Sequence, residues 1–388
     1  MLDKIRIWIH GGGPGADARI LLVIGQAGVG KSAIAHSIAN EYVELKRLGA
    51  IFCFSKDKGP VNFFRTLARS FADMDPLYAS KLASTINSEK ETSTSLDVQM
   101  KDVLLPPFKR LSVLGPIIVV IDALDECVDR NPLVDCLIRN IFSIPANIRI
   151  LVTSRPAEAS KLRSQLWVKV LDLRDDLATQ EEILLYVKER LGQQLNSEMS
   201  EPTSHGLKAV DLDDIALHSE GVFQFASVVC TEILSSYLYE WPSGEPETPK
   251  ETFIRLVKDS KGGLDALYGG LLEKLYPNAK VDSQGLRDFR RVMGWVLAAQ
   301  HRLTHDTLVE FGQLLDISDS NNRGGYNRVT MTLRPLGALL SGTHEGSTTV
   351  YPLHSSIRNY LTDESRSGRF YIGSENEQHL TLASICLR

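Results

Sequence analysis

The pattern of apolar and polar positions changes character twice along the chain. Arg19 to Ile24 (RILLVI) is a short, continuous apolar run that stops at a glycine-rich turn. Ala50 to Phe54 (AIFCF), Ile117 to Ile121 (IIVVI) and Ile148 to Val152 (IRILV) repeat the form, and Val168 to Leu171 (VKVL) is a weaker version. Short runs without alternation predict strands buried on both faces. Between them the period lengthens. From Ser32, residues Ile34, Ala35, Ile38, Ala39, Tyr42 and Leu45 recur at helical spacing, with Gly49 as the expected stop. Val61 to Ala72 and Val98 to Leu111 read as further helices, and Glu89 to Ser95 as a polar loop or helix start. This alternation predicts an α/β core, a parallel sheet with helices on both faces.

A short helix at Ile5 to Ile9 and a glycine-rich loop at Gly11 to Gly15 precede the first strand. After Asp175 the texture becomes helical. Leu177 to Leu195 predicts one helix and Asp211 to Tyr239 one or two more. The proline-rich stretch 241–250 reads as a connector, and Leu264 to Leu275 as a helix closed by Pro277. The region 284–362 shows three helix-like stretches and a β-like pair, Gly337 to Ser341 and Thr348 to Leu353. There is no internal repeat of 20–50 residues.

Composition narrows the classes. A chain of 388 residues predicts two or three domains, and 43% hydrophobic content excludes whole-chain disorder. With 43 Lys+Arg against 48 Asp+Glu, the net charge of −5 gives no basic excess for nucleic acid or an anionic membrane. The five cysteines are scattered without a CxxC pair, which points to a reducing compartment and suggests neither a disulfide framework nor a zinc site. No secretory signal or membrane-spanning stretch stands out, so a cytoplasmic location is expected by elimination.

The chemistry concentrates at three predicted strand tips. Residues 25–32 read GQAGVGKS, the G-x-x-x-x-G-K-[ST] pattern. Gly25, Gly28 and Gly30 let the backbone wrap a phosphate chain with its N–H groups pointing inward. Lys31 supplies positive charge at the β- and γ-phosphates, and the Ser32 hydroxyl suits Mg²⁺. The following helix adds its N-terminal partial charge. The second tip, IIVVIDALDE, ends in Asp122, the form of a Mg²⁺-holding aspartate, with small Ala123 beside it. Asp125 and Glu126 follow as catalytic candidates that orient or deprotonate a water. The third, IRILVTSRP, places Thr153, Ser154 and then Arg155 on the same sheet edge, where Arg155 could reach a γ-phosphate.

With these blocks in order, the chain resembles the NACHT-type STAND signalling NTPases, the large fungal set of NOD-like receptors especially. GQAGVGKSAIAHSIA, LGAIFCFS, FFRTLARSFA, IIVVIDALDEC and IRILVTSRP carry the likeness across residues 19–175. EGVFQFASVVCTEIL, LDALYGGLLEKLYP and YPLHSSIRNYL extend it more weakly. The resemblance implies strand order 2-3-4-1-5 and five parts: an N-terminal helix and linker (1–18), a P-loop NTPase domain (19–175), a helical domain (176–283), a winged-helix domain (284–362) and the start of a C-terminal helical segment (363–388). It implies that His354 touches the β-phosphate of bound ADP, although Ile357 and Asn359 depart from the usual aromatic and acid. The implied nucleotide-binding set is Gly25, Gly28, Val29, Gly30, Lys31, Ser32, Ala33, Arg155 and His354, with Mg²⁺ on Ser32 and Asp122. ATP or ADP is the implied nucleotide, with GTP still open.

The implied function is an ADP/ATP-controlled oligomerisation switch with slow hydrolysis, in fungal innate-immunity or incompatibility-type signalling. A conventional phosphotransferase would need an arginine-rich lid, and Leu177 to Leu275 offers no arginine cluster. A winged-helix DNA-binding regulator is disfavoured by the mild, unclustered charge of residues 285–361. A nucleotide-binding scaffold without turnover is the remaining alternative. The resemblance places effector and sensor regions outside these blocks, so the length fits a core fragment, a short gene model or a truncated family member better than a complete receptor.

Overall fold

The computed structural model describes residues 1–55, 59–86, 93–173, 178–197, 207–235, 247–258, 263–277, 283–299, 302–314, 328–343 and 348–387. The chain divides into two compact units, Met1–Asp176 and Leu177–Arg388.

The first unit is built on a five-stranded parallel sheet of order β2-β3-β4-β1-β5. Its strands are β1 (Ile20–Ile24), β2 (Leu48–Cys53), β3 (Ile117–Asp122), β4 (Ile148–Ser154) and β5 (Val168–Asp172). The central strands β1 and β3 are buried at every position, which is why their sequences show no alternation. The expected order and all five strands are present. Ile20, Leu22, Ile24, Val119, Ile121, Ile150 and Val152 join helix residues such as Phe63, Phe64, Leu67 and Phe71 in one core.

The helices of this unit are α1 (Leu2–Ile9), α2 (Lys31–Glu44), α3 (Phe63–Met74), α4 (Pro76–Thr85) and α5 (Arg130–Asn140), with shorter turns between. Residues 1–18 hold a helix that packs onto this unit. Ile5, Trp8 and Ile9 of α1 are buried, the Trp8 indole donates to the Ala18 carbonyl at 3.2 Å, and Arg6 pairs with Glu41 of α2 at 2.9 Å.

Two expectations are corrected by these elements. Gly49 does not stop α2. That helix ends at Glu44, Lys46 takes the left-handed backbone (φ +54°), and Gly49 lies inside β2. A side chain there would meet the Phe71 ring at 2.7 Å, so the position needs glycine for packing. Val98–Leu111 is not one α-helix. A short turn at Leu96–Val98 widens into a π-helical stretch, Gln99–Leu104, and a 3₁₀ stretch follows over Pro106–Arg110, where two prolines cannot donate to a regular ladder. The segment 87–92, which overlaps the expected polar loop, lies outside the described residues.

The second unit is helical with a small antiparallel sheet. Its longer helices are α6 (Ala178–Ser197), α7 (Ala209–His218), α8 (Phe223–Ser235), α9 (Gly263–Leu275), α10 (Gln284–Ala298) and α11 (His305–Leu314), followed by α12 (Arg328–Leu333), α13 (Ser355–Leu361) and α14 (Glu375–Cys386). The expected connector is helical at its end. Thr248 caps a short helix at Pro249–Phe253 with its hydroxyl, Glu251 bonds back to the Thr248 amide, and Pro249 fits the first turn. The rest of it, 241–246, is outside the described residues.

The expected β-like pair is part of a three-stranded sheet. β6 (Leu303–Thr304) and β7 (Leu340–Ser341) flank β8 (Thr349–Pro352) in antiparallel register. One core runs through this unit: Val229 and Ile233 of α8, Leu271 of α9, Trp295 of α10, Val350 of β8, Ile357 of α13 and Phe370 share it. The two sides of residue 283 therefore pack as one body. No described helix is long and apolar enough to cross a membrane.

Candidate nucleotide-binding site

Parallel pairing brings all five C-terminal strand ends to one edge of the first unit. Ile24 sits opposite Ser154 on one side and Asp172 on the other, and Cys53 sits opposite Asp122. The loop 25–30 leaves β1 in the middle of this edge and runs into α2. Gly28 and Gly30 have φ of +85° and +90°, which side chains rarely adopt. Gly30 is the N-cap of α2, so the loop ends where the first helical amides point outward. Val29 is buried against the loop, and Ala33 lies in the first turn of α2.

Lys31 folds back over this loop. Its ammonium donates to the Gly25 carbonyl at 2.9 Å and to the Gln26 carbonyl at 2.7 Å. Burial lowers its pKa, while Asp125, Asp122 and Glu126 act the other way and nearby Arg155 adds to the lowering. A lysine held in this way is a positive charge whose hydration is already reduced. Ser32 donates to Asp122 Oδ1 at 3.2 Å, joining the glycine loop to the acidic strand end across 90 residues of sequence.

Asp122 is 4% exposed and is held from a second side. The Thr153 hydroxyl donates to the same Oδ1 and accepts from the Ala123 amide at 2.9 Å. Thr153, fully buried on β4, therefore orients the carboxylate of β3. The sequence marks it as a polar residue at an apolar strand tip, but its role appears only with the β3–β4 pairing. Ala123 takes the left-handed conformation (φ +56°) and starts a 3₁₀ turn over Leu124–Glu126. That turn brings the Asp125 carboxylate, 8% exposed, to Arg155 Nε at 2.9 Å. The candidate base and the candidate γ-phosphate ligand are thus an ion pair with each other.

The structure brings Gly25, Gly28, Val29, Gly30, Lys31, Ser32, Ala33, Asp122, Asp125, Glu126 and Arg155 together on this edge. His354 belongs to the second unit. It is the N-cap of α13, and its Nδ1 accepts from the Ser356 amide at 3.1 Å. A backbone amide always donates, so Nδ1 is the acceptor and the neutral ring carries its proton on Nε2. The Ser356 hydroxyl lies 2.7 Å from that Nδ1 and 2.7 Å from the buried Tyr268 hydroxyl.

Residues 3–155 match the protein-family model described as Nephrocystin 3, N-terminal. The first unit is a P-loop NTPase core, consistent with the NACHT type. No curated protein matches the sequence. Among solved structures, the Drosophila ORC bound to DNA is similar at 14% identity, covering 90% of this chain and 91% of that one with a TM-score of 0.40. A point variant of Thermotoga maritima RuvB aligns at 13% identity over 94% of this chain and 93% of its own, with a TM-score of 0.32. The Aeropyrum pernix ORC1 protein in complex with DNA aligns at 14% identity over 95% and 92%, with a TM-score of 0.32. The NTPase core is recognised by its own sheet order, glycine loop and strand tips.

Proposed function

We propose that this chain is a nucleotide-controlled switch: the NTPase core binds ADP or ATP, and the state of the nucleotide sets whether the chain oligomerises. The observation that carries the reading is the Ser32–Asp122 contact, which makes the glycine loop and the acidic strand end one site. Both contacting atoms are hard oxygen donors, the set that suits Mg²⁺. Ser32 and Asp122 would hold that ion, which supplies charge neutralisation at the β- and γ-phosphates. The loop amides and the start of α2 take the phosphates, and Lys31 exchanges two carbonyls for phosphate oxygens.

Discrimination of ATP from ADP follows from the Arg155–Asp125 pair. A γ-phosphate competes with Asp125 for the guanidinium. Where it wins, Arg155 neutralises the phosphate and Asp125 becomes available to take a proton from the attacking water. Hydrolysis restores the pair, so turnover resets the switch. His354 completes the off state by donating its Nε2 proton to the β-phosphate of ADP, the role of the corresponding histidine in the family it resembles. On this reading residues 284–362 are the winged-helix module, and activation separates it from the nucleotide. ATP is the favoured nucleotide from the resemblance alone, and a fungal immunity or incompatibility setting has the same basis.

The decisive experiment denatures the purified protein and identifies the released nucleotide, with Lys31→Ala alongside. The reading expects ADP from the wild type and none from the variant. It also expects a larger assembly with a non-hydrolysable ATP analogue than with ADP. Identical size and protease sensitivity in the two states would refute the switch.

A further inference from the structure

We propose that His36, Cys53 and Asp122 form a binding site for a borderline transition-metal ion of the zinc class, at the edge of the sheet beside the glycine loop. One donor atom from each residue lies within 4.8 Å of the others. The Cys53 Sγ to His36 Nε2 distance is 3.8 Å. Tetrahedral zinc with its usual bond lengths separates such donors by about 3.4–3.6 Å. The three donors are therefore one side-chain adjustment away from a common ion, and His36 and Cys53 are exposed enough to make it.

The placement comes from the fold. Cys53 and Asp122 are paired across the parallel β2–β3 ladder, so the sheet sets their separation and points both side chains to the same face. His36 comes from the second turn of α2, five positions beyond Lys31, on the helix that packs over these strands. None of the three is close to another in sequence, which is why no ligand-spacing motif announces them.

The donor chemistry separates this ion from Mg²⁺. A thiolate and an imidazole are soft or borderline ligands that favour zinc and its neighbours, whereas Mg²⁺ takes oxygen. Binding releases the thiol proton to solvent. The thiolate and carboxylate then carry two negative charges against the two positive charges of the ion. A fourth position is left for water or another oxygen. Asp122 belongs to both sets, so the zinc-class ion competes for a carboxylate that also bonds Ser32. The proposal rests on the donor geometry and stands apart from the nucleotide reading.

The test titrates the nucleotide-free full chain with Co²⁺ as a spectroscopic probe for zinc. A thiolate-to-cobalt charge-transfer band that saturates at one equivalent, and that Zn²⁺ bleaches, is expected for the wild type. Cys53→Ser and His36→Ala change exposed side chains and are checked for an unaltered fold by circular dichroism. Each is expected to abolish the band or weaken the affinity by at least about tenfold, since even removal of an outer partner of a ligand costs that much. No band in the wild type, or a band that keeps its wild-type affinity in Cys53→Ser or His36→Ala, overturns the proposal. Because the readout contains no nucleotide, its failure leaves the switch untouched, and loss of nucleotide binding leaves the metal result untouched.

Discussion

Thr153→Val is the most direct probe of how the acidic strand end is held. Valine copies the shape of threonine and replaces the hydroxyl with a methyl group. Two interactions disappear: the Ala123 amide loses its acceptor at 2.9 Å, and Asp122 loses a donor. An amide left without a partner in a buried site costs roughly 1–3 kcal/mol, and a hydrogen bond to a charged group contributes roughly 1.5–3 kcal/mol. The two share one hydroxyl and do not add, so a loss of about 2–4 kcal/mol is expected. For a unit of this size that lowers the melting temperature by roughly 5–15 °C. Thr153→Ser keeps the hydroxyl and loses one methyl group, at a cost of about 1 kcal/mol. The assay is native-state hydrogen exchange read at amides of β1, β3 and β4, which isolates the first unit from the second. The Mg²⁺ concentration needed for half-maximal nucleotide binding is measured on the same variants and should rise only in Thr153→Val. If the valine and serine variants match in both measurements, Thr153 does not position Asp122 and the argument fails.

Three further outcomes follow from named contacts. Arg155→Ala removes the partner of Asp125 and should lower ATP affinity about tenfold or more while sparing ADP, read by competitive nucleotide titration; equal losses for both nucleotides would exclude Arg155 as the γ-phosphate sensor. Asp75 is fully buried and accepts from the Leu77, Tyr78 and Ser112 amides and the Ser112 hydroxyl. Burial pushes its pKa up, but these bonds outweigh it and hold the group below its ordinary value, so it stabilises above about pH 4 and the benefit fades as pH falls through the folded value. Asp75→Asn should cost about 1–3 kcal/mol at pH 7 in denaturant titrations, with the difference shrinking in acid. Glu232 runs the other way. Burial pushes its pKa up to about 7 despite Arg255 and Lys274, so the folded state keeps a proton that the unfolded chain releases at about pH 4.3. Stability of the second unit should fall as pH rises from about 4.3 to 7, and Glu232→Gln should flatten that fall, read by chemical denaturation across the range.

β1 and β3 were legible because each is apolar on both faces up to its tip and buried at every position, whereas β2 and β5 are only partly buried and β5, with Lys169, stands out less. The helices α4 and α5 were not legible. In α5, RNPLVDCLIRN, the apolar residues are confined to 133–138, too short a stretch to show a helical period, yet Leu133, Val134, Cys136 and Leu137 are buried in the core they share with the strands. Packing forms that helix more than local propensity does. The two-residue strand β6 is too short for any period to register. The loop 25–32 was legible to the residue, because a phosphate cradle needs contiguous glycine and lysine. The Arg155–Asp125 and Thr153–Asp122 contacts were not, since each joins residues about 30 positions apart through strand pairing.

Ala123 shows why the remaining chemistry resists a linear reading. As a non-glycine residue at φ +56° it carries a local cost of roughly 1–2 kcal/mol. Glycine would relieve that strain and give back only about 0.4–1 kcal/mol through the extra freedom of the unfolded chain, so alanine here carries a net cost of about 1 kcal/mol. Its side chain still fixes the turn more tightly than glycine would. That turn aims the Ala123 amide at Thr153 and lifts Asp125 toward Arg155 within three residues of Asp122. One unfavourable dihedral thus decides where two carboxylates, a hydroxyl and a guanidinium meet, although in the sequence it is only an alanine between two acids.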